Sequence, residues 1–125
     1  MATTEKVRQE GLDKFYTIPT ISEKCISTIG EKYGWNRWDL VVEPSAGNGS
    51  FLSRIPTQKK IGIDISPEHP DILKKDFFEY TPLPEHTEIL VIGNPPFGRV
   101  SSVAVKFFNH AAEWCSVIAL SLIHI

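Results

Sequence analysis

"WDLVVEPSAGNGSF", residues Trp38 to Phe51, decides how the rest of this 125-residue chain is read. Leu40 to Val42 is a short apolar run of strand formers, and Glu43-Pro44 ends it. A turn containing Gly47 and Gly49 follows, and the chain leaves it in a short helix from Ser50 to Arg54. A strand that runs through a glycine turn into a helix is the opening unit of a parallel α/β sheet. Upstream, Thr20 and Glu23 have the spacing of a capping box, and Ile21, Cys25, Ile26 and Ile29 recur at helical intervals. They predict a helix from Ile21 to Tyr33, stopped near Gly34. Downstream, "KKIGIDISP" is a strand ending at Asp64, "DILKKDFFEY" a short strand ending at Asp76, and "EILVIGNPPF" the most apolar strand so far. Ser102 to Trp114 is a helix with Val103, Ala104, Phe107, Phe108, Ala111 and Ala112 in one stripe, and "SVIALSLIHI" starts a fifth strand. Strands apolar on both faces and alternating with helices or crossover loops predict a Rossmann-like, doubly wound, mostly parallel sheet. Ligands in such sheets bind beyond the carboxyl ends of the strands, which puts Glu43, Gly47, Asp64, Asp76 and Asn94 on one rim.

With 42% hydrophobic and 22% charged residues, the composition is that of one soluble globular domain, residues 1–125, with the first dozen residues polar and frayed. A net charge of −2 excludes a polybasic surface, so any nucleic-acid contact must be local. Cys25 and Cys115 lack the spacing of a zinc site or redox motif and read as buried thiols, and the four histidines show no ligand spacing. No metal is expected. Neither a signal-peptide core nor a run of membrane-spanning length is visible, which predicts an intracellular, cytoplasmic protein that does not engage a membrane. Trp35 and Trp38 are expected to be partly buried against the first strand, and Lys59 and Lys74 to be solvated. Oligomeric state is not legible.

The glycine turn has Gly-x-Gly but carries Leu52 where a dinucleotide fingerprint needs its third glycine, and no P-loop lysine follows. What remains is a turn that lets backbone approach a ligand closely, or plain turn chemistry. Asp64, at the end of the second strand, is placed to accept from both hydroxyls of a ribose, or to form a turn or cap.

Taken together, "KFYT", "EPSAGNGSF", "GIDI", "DFF" and "NPPF" occur in an order that resembles the class I S-adenosylmethionine-dependent methyltransferases, in particular the N6-adenine methyltransferases of nucleic acids. The resemblance spans about Lys14 to Asn109. It implies S-adenosyl-L-methionine as cofactor, with Glu43, Pro44, Ala46, Gly47 and Gly49 framing its methionine part and Tyr16 and Thr17 closing over the carboxylate. It also implies that Asp64 takes the ribose hydroxyls, Ile65 packs on the adenine ring, and Asp76 with Phe77 binds the adenine edge. Asn94 would border the cofactor as well. Many relatives read Tyr-Thr-Pro, whereas here Ile18 intervenes before Pro19.

The resemblance implies a nucleic acid substrate, DNA or RNA, and it gives "NPPF" a chemical task. The exocyclic amine of adenine is a poor nucleophile because its lone pair is delocalised into the ring. Two rigid acceptors for its N–H groups draw the nitrogen toward tetrahedral geometry, and Asn94 and the Pro95 carbonyl are those acceptors. Pro95 and Pro96 stiffen the turn and remove donors, and Phe97 stacks on the base. A base in a duplex would have to be flipped out to reach them. Arg99, just beyond, is a candidate for a substrate phosphate. Two alternatives remain: a protein glutamine N5-methyltransferase, whose loop usually carries Tyr in place of Phe97, and a non-catalytic cofactor-binding subunit.

Relatives need further strands to complete the sheet, so the 125-residue chain is expected to be a partial catalytic domain, inactive on its own. "LSLIHI", Leu120 to Ile125, can be encoded by the mosaic end of a transposon-based sequencing adapter. The natural reading frame is accordingly expected to continue differently after about Ala119.

Overall fold

The computed structural model describes residues 19–94 and 101–120. In chain order these form helix α1 (Pro19–Tyr33), strand β1 (Leu40–Glu43), helix α2 (Ser50–Arg54), β2 (Lys60–Asp64), β3 (Leu73–Lys74), a 3-10 turn (Phe77–Glu79), β4 (Ile89–Gly93), α3 (Ser101–Ala112) and β5 (Val117–Leu120). The strands make one sheet in the order β3-β2-β1-β4-β5, and every pairing is parallel. This α/β arrangement is compatible with a Rossmann-like fold.

Alternation along the central strands explains why both faces are covered. Val41, Leu90 and Ile92 point to one face, where they pack with Ile29 of α1 and Phe51 and Ile55 at α2. Val42, Ile89 and Val91 point to the other, where they meet Phe107 and Ala111 of α3 and Phe77 of the 3-10 turn. The two crossovers therefore use opposite faces: α2 carries the chain from β1 out to β2, and α3 carries it from β4 out to β5. Parallel strands with both faces buried read as continuous apolar runs, and β4, "ILVIG", is buried at every residue.

Four expectations need correction. Helix α1 begins at Pro19 rather than Ile21, so Thr20 lies inside its first turn and not at the cap. Proline suits that first position, where its missing N–H would have had no intrahelical partner. The third strand stops at Lys74, short of Asp76. Asp76 instead caps the 3-10 turn, its Oδ1 accepting the Phe78 N–H at 3.0 Å. A short polar side chain that bonds backbone two residues ahead competes with the sheet ladder, and here it wins. In α3, Phe108 is 49% exposed, and the buried stripe is Ala104, Phe107 and Ala111. Phe78 of the 3-10 turn occupies the space beside Phe107 instead, with ring centroids 5.0 Å apart. Cys25 and Cys115 are half-buried rather than buried, one against each apolar cluster.

Trp38 is buried, more deeply than expected, and donates its Nε1 proton to the Gly34 carbonyl at 3.1 Å. Lys59 and Lys74 are exposed, as the sequence predicts. Lys60 is half-buried, and its Nζ donates to the Leu52 and Ile55 carbonyls, both at 2.9 Å, closing the end of α2.

These positions separate core from surface. Leu90→Ala is expected to lower stability in urea unfolding by about 2–5 kcal/mol, the cost of a cavity in a packed core. Phe108→Ala is expected to cost less than about 1 kcal/mol, as for other exposed positions. Comparable losses at the two sites would contradict this assignment of the α3 face.

Candidate functional site at the carboxyl ends of the strands

Because all strands are parallel, Glu43, Asp64, Lys74 and Gly93 end on the same rim. The strand order reverses between β1 and β4, whose crossovers leave toward opposite edges. In open α/β sheets, ligand crevices lie outside the carboxyl ends of the strands at such a switch point.

Glycines bring backbone and side chains close together here. Gly47 has φ +57° and Gly49 φ +83°, a region that side chains rarely adopt. Among the described residues, nothing lies within 4 Å of where a Cβ on Gly47 would stand. The loop is tied to β2 by the Ala46 N–H donating to the Ile63 carbonyl at 2.9 Å and the Gly47 N–H donating to Asp64 Oδ2 at 2.8 Å. Asp64 Oδ1 accepts the Ser66 N–H at 2.8 Å. Both carboxylate oxygens are thereby oriented, and each keeps a lone pair for another donor. Beyond it, Ile65 is 66% exposed.

Glu43 and Asn94 face the switch point from β1 and from the end of β4. They are 2% and 6% exposed, yet Glu43 Oε1 and both Asn94 side-chain atoms, Oδ1 and Nδ2, have no hydrogen-bond partner among the described residues. The other such atoms, His86 Nδ1 and Trp114 Nε1, belong to half-buried residues. Burial first, and the neighbouring Asp64 second, push the Glu43 carboxyl up to about 8, against the lowering effect of a hydrogen bond from the Leu52 backbone. At neutral pH Glu43 is therefore mostly protonated.

Opposite this rim, the amino ends of the strands are internally satisfied. Asp39 Oδ2 accepts the Thr87 N–H at 2.9 Å, the Thr87 hydroxyl at 3.1 Å and the Glu88 N–H at 2.9 Å. Arg37 bonds Glu88 at 2.8 Å and lies 4.9 Å over the Trp38 ring.

Among the residues singled out in the sequence, Glu43, Pro44, Ala46, Gly47, Gly49, Asp64, Ile65 and Asn94 thus gather around one rim. Asp76 lies next to it through the Lys75 N–H, which donates to the Asp64 carbonyl at 3.0 Å. Phe77 follows Asp76 in the 3-10 turn. Its ring is 2% exposed and packs edge-on against His110 and Trp114 in the core, which leaves only its backbone for a ligand; Phe78 carries the exposed ring. Tyr16, Thr17, Pro95, Pro96, Phe97 and Arg99 lie outside the described residues. Sequence reasoning missed Gly93 and Gly62. A Cβ on Gly93 would meet Glu43 Cγ at 2.9 Å, and one on Gly62 would meet Ala46 Cβ and Leu52 Cδ2, both at 2.8 Å. Glycine inside an apolar strand was the available signal, since it marks close approach of another group. Among the described residues, no group of three or more His, Cys, Asp or Glu side chains is placed to hold a metal ion. No helix there is long and apolar enough to cross a membrane.

The raised Glu43 carboxyl has a consequence for stability with a definite sign. From its ordinary value of 4.5 up to about 8, the native state holds a proton that the unfolded chain has released. Glu43 therefore contributes fully below pH 4.5, and that contribution is lost as pH rises toward 8. The slope is at most about 1.4 kcal/mol per pH unit. Urea unfolding at pH 5, 7 and 9 is expected to show this decline, and Glu43→Gln to flatten it. Equal pH profiles for both proteins would contradict the buried, protonated carboxyl.

No protein-family model matches the chain, and no curated protein matches it either. The functional reading rests on the motif series and the geometry of this rim.

Proposed function

We propose that this protein transfers a methyl group from S-adenosylmethionine to the exocyclic N6 amine of adenine in DNA or RNA. The observation that carries the proposal is buried Asn94, its side chain without a hydrogen-bond partner among the described residues, next to buried Glu43 at the β1–β4 switch point. Polar side chains nine-tenths buried ordinarily find partners, so groups left open at a ligand crevice are groups kept for a ligand.

The rim has the features the cofactor requires. Glu43, Pro44, Ala46, Gly47 and Gly49 would frame the methionine part, where no described residue comes within 4 Å of a Cβ placed on Gly47. Asp64, held by two backbone N–H groups, offers its remaining lone pairs to the ribose hydroxyls. Exposed Ile65 gains a ring to cover, and Asp76 offers Oδ2 to the adenine edge while Oδ1 caps the 3-10 turn. When bound, S-adenosylmethionine supplies a methyl group already activated by its sulfonium. The chain's own part is then alignment and electrostatic preorganisation, without a strong general base. Asn94 Oδ1 accepts one N–H of the target amine and the Pro95 carbonyl the other, localising the nitrogen lone pair, while Phe97 stacks on the base.

Two measurements test this reading. Gly47→Val forces a branched side chain into φ +57° and into the crevice, so S-adenosylmethionine binding in calorimetry is expected to weaken at least about tenfold. Asn94→Ala is expected to lower the rate of transfer of labelled methyl to DNA or RNA by about 100-fold or more, with a smaller effect on cofactor affinity. Unchanged binding in the first case would remove the cofactor from this rim. Full activity in the second would remove Asn94 from the chemistry.

A further inference from the structure

The glycine turn and the segment that follows β2 are joined by hydrogen bonds running in both directions. Asp64 Oδ2 accepts the Gly47 N–H at 2.8 Å, and the Gly47 carbonyl accepts the Glu68 N–H at 3.0 Å. Both polar backbone groups of Gly47 are therefore engaged by that segment. One residue earlier, the Ala46 N–H donates to the Ile63 carbonyl at 2.9 Å. Two residues later, a Cβ on Gly49 would stand 3.6 Å from Ile72 Cδ1 and 3.8 Å from His69 Cγ. Among the described residues, Asp64 makes the one side-chain hydrogen bond from β2 to this turn. Its other oxygen holds the Ser66 N–H at 2.8 Å, so the carboxylate cannot swing away without releasing both donors.

We propose that Asp64 is a positioning residue for the glycine turn, so that its carboxylate strengthens binding of the part of the ligand that lies over Gly47 as well as the part that Asp64 itself faces. The proposal rests on the cofactor reading above and adds a contribution that a ribose contact alone does not make. Gly47 stands at φ +57°, and a glycine released from its partner has a wide choice of other conformations. A turn held in its binding shape before the ligand arrives avoids the ordering cost at the moment of association, whereas a released turn binds only through the fraction of time it spends in that shape.

The test is calorimetric titration of the native chain, Asp64→Ala and Asp64→Asn with S-adenosylhomocysteine and with its 2′,3′-dideoxy analogue. The analogue has no ribose hydroxyls, so any loss of its affinity reports the turn alone. Asp64→Ala removes both acceptors and is expected to weaken the analogue at least about fivefold, the scale of a coupling between two parts of a site, and S-adenosylhomocysteine by more. Asp64→Asn keeps the shape but has a single side-chain oxygen, so Gly47 or Ser66 loses its acceptor; a smaller loss in the same direction is expected, and the comparison stands even if Asp64→Ala does not fold. Amide hydrogen exchange at Gly47 is expected to speed up in Asp64→Ala while Leu90, in the sheet core, keeps its native rate, which separates a loosened turn from a destabilised fold. Analogue affinity unchanged in both variants while S-adenosylhomocysteine binding falls, or an equal rise in exchange at Gly47 and Leu90, would overturn this proposal and leave the cofactor reading standing. Failure of S-adenosylhomocysteine to bind the native chain would overturn both.

Discussion

Everything at the candidate site follows from the parallel pairing of β1 with β4 and from the opposite faces taken by their crossovers. Parallel pairing forces every strand to end on the same side. The crossover through α2 leaves over one face and the crossover through α3 over the other, so the chain departs from the adjacent carboxyl ends of β1 and β4 in opposite directions. Among the described residues, Glu43 at the end of β1 and Asn94 just past β4 stand at that point. Gly93 completes the arrangement by leaving space for the glutamate side chain against the neighbouring strand.

The two ends of the sheet show what this arrangement costs. At the amino end, Asp39 gathers three donors on one oxygen, and Arg37 is bonded to Glu88 and stacked on Trp38. At the carboxyl end, three polar atoms of Glu43 and Asn94 are buried with no partner among the described residues. Each such atom costs about 1–3 kcal/mol relative to a satisfied one. The same chain thus satisfies polar groups closely where only folding is at stake and leaves them open where a ligand crevice is expected. Removal of water from this rim is the first cause of the raised Glu43 carboxyl, and the nearby Asp64 adds to it.

Much of the fold was legible because burial on both sheet faces writes itself as uninterrupted apolar runs, and glycine and proline punctuate them. Strands β1, β2 and β4 and helix α2 lie where those signals put them. Legibility failed where local bonds compete. Nothing in "DILKKDFFEY" announces that Asp76 prefers to cap a turn over extending a strand, or that Phe78 rather than Phe108 will lie against Phe107. The site residues were identifiable as a set from their motifs, but their states were not. That Glu43 holds a proton depends first on its burial and then on Asp64, which lies 21 positions away in sequence and is brought near by the β1–β2 register. Likewise, the second duty of Asp64, fixing the glycine turn through the Gly47 N–H, is a tertiary contact that no spacing rule discloses.

A titration followed by backbone amide NMR tests most directly whether this rim is a nucleoside cofactor site. With S-adenosylhomocysteine as the probe, shifts are predicted at Gly47, Asp64, Ile65 and Asn94, while Asp39, Thr87 and Glu88 at the opposite end stay in place. Perturbation confined to the Asp39 end, or none at saturating ligand, would contradict a cofactor site at the β1–β4 switch point.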